Sequence, residues 1–84
     1  MTESELRDRL RQLHDELART DVTEASTRAA LRHVSDDIQA ALHRAEHAGL
    51  AGRLESLAVA LESEHPVLAS TARSIIDALV KLGF

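Results

Sequence analysis

Two groups of residues carry side chains able to hold a metal or move a proton. His43 and His47 stand four apart, with Glu46 beside the second. On a helix that spacing puts two imidazoles on one side, where they can share a divalent metal. No third ligand is indicated, and His43 points away from the Leu31–Leu42 apolar stripe. The pair is a weak metal candidate beside the simpler reading of solvated helix histidines. Glu64 and His65 form the second group, directly before Pro66. They interrupt an apolar seam between Leu61 and Leu68, and an unpaired buried polar group costs roughly 1–3 kcal/mol. The bland account is a polar layer that sets helix register, or a cap at the proline. The sharper account is a ligand or proton-linked site. His14 flanks the first apolar stripe and is available to a neighbouring helix.

Arg7, Arg9 and Arg11 make a basic patch near the start of the chain. Asp8 and Asp15 intervene and no Trp or Tyr is present to stack on bases, so a nucleic-acid partner is not expected. A solvated, salt-bridged face is the simpler reading. The chain has no Gly-rich phosphate loop, nucleophile elbow or paired-carboxylate arrangement. The expectation is a protein that is not an enzyme and needs no cofactor.

These residues are positioned by helices. Thr2-Glu3-Ser4-Glu5 is a capping-box pattern with acidic residues where the helix dipole favours them. Leu6, Leu10, Leu13 and Leu17 follow as one narrow stripe, predicting a helix over 3–19. Thr20-Asp21-Val22-Thr23 connects it to the next, with Asp21 and Thr23 as capping candidates and Val22 as a staple. Leu31, Val34, Ile38, Leu42 and Ala45 predict a second helix over 24–47, ended by Gly49. A short link makes these two helices antiparallel neighbours.

The chain is organised around its last third. Leu50, Leu54, Leu57, Leu61, Leu68, Ala72, Ile75, Leu79 and Leu82 stay within about 40° of one line on a helix surface. Pro66 interrupts this run, through its missing amide donor and the constraint it places on His65. One reading is two helices meeting near 63–66, with Ser63 as a cap. The other is one helix over 51–82, kinked at Pro66. Conserved phase across the proline, and the outward position of Pro66, favour the kink.

A second apolar line, Ala69, Ile76, Val80 and Phe84, widens the arc in this segment to roughly 200°. Two covering helices leave part of such an arc in water, and an exposed apolar patch marks an interface. The sequence therefore predicts self-association through Ala69, Ile76, Val80 and Phe84, with a homodimer as the simplest assembly and another protein as a further partner. Size argues the same way. The chain has 84 residues, no Cys, no Trp or Tyr, and a single Phe at position 84. A core of Leu, Ile, Val and Ala in so short a domain sits near the margin of independent stability.

The net charge of −4 suits a soluble protein. Charged residues throughout the first twenty positions leave no signal-peptide core, and no apolar run approaches a membrane span. A cytoplasmic location without membrane contact is the expectation.

Glu64-His65-Pro66, Leu68-Ala69, Ile75, Asp77-Ala78-Leu79 and the final Leu82-Gly83 resemble the end of a small family, the domain of unknown function 4404. Leu6 and Leu13-His14-Asp15-Glu16-Leu17 resemble its start, so the likeness covers nearly the whole chain. Gly83-Phe84 stands where such members often close with Gly-Ile. The resemblance implies a small helical bacterial protein and brings no catalytic or ligand-binding residues. The expected architecture is all-α: an antiparallel hairpin plus a long C-terminal helix, kinked or broken at Pro66, assembling into a homo-oligomeric bundle. Its expected role is that of a protein–protein interaction module. The competing class is a small-molecule or metal binder using Glu64/His65 or His43/His47.

Overall fold

The computed structural model describes residues 2–44 and 47–84. They form four helices, α1 (Glu3–Arg19), α2 (Ala25–Arg44), α3 (Leu50–Leu61) and α4 (Pro66–Lys81), with no strand among the described residues. The predicted inclusion of Ala45 in the second stripe lies outside the described residues, whereas His47, the predicted helix end, is not helical.

The first helix starts where its residue types place it. Thr2 is extended and its hydroxyl accepts from the Glu5 amide at 3.2 Å, satisfying one of the amides that a helix start leaves open. Leu6, Leu10, Leu13 and Leu17 are all buried, as their spacing predicts. At the other end the Thr20 hydroxyl donates to the Glu16 carbonyl at 2.7 Å, and the chain turns out of the helix. Val22 is buried in the connection. The entry to α2 is one residue later than expected: the Glu24 carbonyl accepts from Arg28 at 3.0 Å, so Glu24 holds the cap position that sequence assigned to Asp21 or Thr23.

In α2 the buried line is Thr27, Val34, Ile38 and Ala41, while Leu31 and Leu42 are only half-buried. The stripe is turned from the predicted one because α2 packs between α1 and α3. The residues facing the gap between two neighbours are enclosed, and those at its edges keep some water contact.

The run Leu50–Leu82 is broken, not kinked. Helix α3 closes with the His65 amide donating to the Leu61 carbonyl at 2.7 Å. His65 then takes φ −133° and ψ 66°, well outside the helical region, and Pro66 opens α4. Proline fits that first position because its missing donor would be unsatisfied there in any case. Unbroken phase was a poor guide, since two helices folded against each other each need their own stripe and can share its register. Folding back lets Leu54, Leu57, Ala58 and Leu61 of α3 join the same core as Leu68, Ala72, Ile75 and Leu79 of α4. A single long helix would have exchanged that mutual burial for water contact, at roughly 1.5–3 kcal/mol per large side chain.

The break also changes how much apolar perimeter needs a partner. Helix α4 has two neighbours in its own chain, α3 and α1, and α3 likewise packs on α2 and α4. The Cα radius of gyration is 11.8 Å, and about 12 Å is expected for a closed domain of this length. One chain therefore completes one core. No helix among the described residues is long and apolar enough to cross a membrane.

Candidate functional site

The C-terminal surface is built from the end of α4. Lys81 is the last helical residue; beyond it Gly83 has φ +85°, the left-handed conformation that glycine adopts without steric cost. The Gly83 amide donates to the Val80 carbonyl at 3.1 Å and the Phe84 amide to the Leu79 carbonyl at 2.9 Å. This paired pattern is a Schellman motif, and it turns the final residue back along the bundle. Phe84 thereby reaches His47, with ring centroids 4.2 Å apart and planes at 78°. His47 is buried, and its Nδ1 has no hydrogen-bond partner among the described residues.

The four residues assigned to an interface separate into three kinds. Ala69 is enclosed by its own chain and drops out of any exposed face. Ile76 is half-buried against the core. Val80 is 65% exposed and Phe84 47% exposed, so the outward part of the surface is these two side chains flanked by Ile76. The arc was wide because α4 covers α3 and α1 together, and most of it is used within the chain. Val59 and Val67 are also exposed, and periodicity had offered no reason to single them out.

The proposed polar sites are rearranged. Glu64 is exposed and His65 half-buried in the α3–α4 turn, so they do not form a polar layer inside the seam. That placement follows from the break at Pro66, which carries both residues out of the helix. His43 is exposed in the last turn of α2, whereas His47 lies beyond that helix and is buried against Phe84. The two no longer share a helix face. No group of three or more His, Asp or Glu side chains able to hold a metal occurs among the described residues. His14 does find a cross-helix partner: its Nε2 lies 3.1 Å from Gln39 Nε2 on α2.

A polar cleft that sequence reading missed lies between α1 and α4. Arg9, Gln12, Ser70, Thr71, Ser74 and Ile75 line a volume of about 360 Å³. Arg9 Nη1 donates to Ser74 Oγ at 3.1 Å, and Thr71 Oγ1 donates to the Val67 carbonyl at 3.0 Å. Ser70 and Ser74 are one turn apart and fall on the solvent side of an isolated α4. Only the placement of α1 beside them makes a cleft. Two charged contacts elsewhere use carboxylates: Arg53 Nε to Asp37 Oδ2 at 2.8 Å, and Arg73 Nη2 to Glu62 Oε2 at 3.4 Å.

Fold and surface together define a small all-helical domain. The chain belongs to the family described as Domain of unknown function (DUF4404), whose model matches residues 6–84. No curated protein and no solved structure matches it.

Proposed function

We propose that this protein is a non-enzymatic helical interaction module that associates with a second copy of itself through the end of α4. The observation that carries this reading is the exposure of Val80 and Phe84 at the end of α4, one turn beyond half-buried Ile76. Large apolar side chains grouped at one end of a helix gain free energy when covered, at roughly 25 cal/mol per Å². Three side chains supply only part of the approximately 800 Å² per partner of a standard stable interface. The association is therefore weak and concentration-dependent, which suits a reversible module.

Sedimentation velocity across a hundredfold concentration range tests it. The weight-average mass rises toward that of a dimer in the wild type and stays at that of a monomer in Val80→Asp. A folded wild-type monomer at every concentration removes the proposal. The competing metal-binding reading loses its geometric basis at His43/His47, where one histidine is exposed and the other is buried beyond the helix.

A further inference from the structure

We propose that the α1–α4 cleft binds a small oxyanion, a phosphate or carboxylate group, with Arg9 as its charged contact. This goes beyond self-association and uses a different surface.

Arg7, Arg9 and Arg11 are all exposed, yet Arg9 is the one drawn into a cleft, by its 3.1 Å bond to Ser74. A guanidinium has five N–H donors, so one bond to a hydroxyl leaves four. That bond is to a neutral group, no carboxylate lines the cleft, and Arg9 has no ion pair among the described residues. Arg53 and Arg73, by contrast, each lie against an Asp or Glu.

The remaining lining suits an anion. Ser74 Oγ accepts from Arg9, so its own proton is free to donate. Ser70 adds a second hydroxyl and Gln12 an amide. Thr71 contributes shape rather than a proton, since its hydroxyl is committed to the Val67 carbonyl. Ile75, fully buried, closes the floor. A volume of about 360 Å³ lies at the small end of ligand pockets. Arginine is favoured for such ligands because its planar fork matches two oxygens of a carboxylate or phosphate. The cleft is open to water, so affinity is expected on the order of 1 mM.

The test is an amide-resolved NMR titration of the whole chain with sodium phosphate, and separately with sodium acetate, each at constant ionic strength held with sodium chloride. Saturating shifts confined to Arg9, Gln12, Ser70, Thr71 and Ser74 are expected with at least one of the two anions. Phosphate alone, acetate alone or both then assigns the ligand class. Arg9→Gln weakens binding about tenfold or more and Ser74→Ala by a smaller factor, while Val80→Asp leaves it unchanged. Linear, non-saturating shifts with both anions overturn the site. So do shifts centred instead on Arg28 and Arg32, which line a separate surface cleft on α2, or an Arg9→Gln variant that binds as wild type does.

Discussion

The imidazole of His47 and the ring of Phe84 meet edge to face, 4.2 Å between centroids, joining the segment before α3 to the segment after α4. Helices α3 and α4 are thus held together at the end opposite their connecting turn. The contact exists because Gly83 reverses the chain.

Removing that contact should weaken the bundle measurably. Phe84→Ala is expected to cost about 1–2 kcal/mol, combining lost apolar burial with a lost ring pair. A double-mutant cycle with His47→Ala, read by urea denaturation, should give a coupling of roughly 0.5–1 kcal/mol. Strict additivity of the two substitutions would mean the rings are neighbours without an energetic link.

The three glycines should respond with opposite signs although an added Cβ meets nothing at any of them. Gly49 and Gly83 have φ +77° and +85°, so alanine there should destabilise by about 1–2 kcal/mol through the left-handed backbone alone. Gly52 lies inside α3, where alanine should stabilise by roughly 0.5–1 kcal/mol. Thermal unfolding of the three single variants checks this. A loss at Gly52→Ala would mean that its surface needs a bare backbone.

Exposure and burial should separate the aliphatic residues sharply. Leu54→Ala or Ile75→Ala removes a fully enclosed side chain and should cost about 2–5 kcal/mol, enough to unfold much of a marginal domain. Val67→Thr, at 76% exposure, should stay within about 0.5 kcal/mol. Equal losses at both would contradict the assignment of the core.

Pro66→Ala tests what makes the turn. Mutual packing of α3 and α4 should preserve the break without the proline, so circular dichroism at 222 nm changes little and stability falls by about 0.5–1 kcal/mol. A clear gain in helicity with a more extended shape would show that Pro66 alone had prevented one long helix.

Several features of this protein are written in local residue order. Helix α1, its Thr2 cap and its leucine stripe all follow from interactions within a few positions, which a linear reading can evaluate; Gly49 is left-handed, but at the start of α3 and not as the stop of the second helix that the sequence assigned to it. The likeness to its family was also legible in short strings near both ends. What required the tertiary structure was every question about which helix lies beside which. Whether Leu50–Leu82 bends or folds back depends on comparing burial between distant segments, and phase along one helix is silent on that comparison. Once the chain folds back, Ala69 is enclosed, Glu64 and His65 move into a turn, and Arg9 meets Ser74 across 65 positions of sequence. Periodicity determines which side of a helix is apolar; only packing decides how many neighbours that side meets.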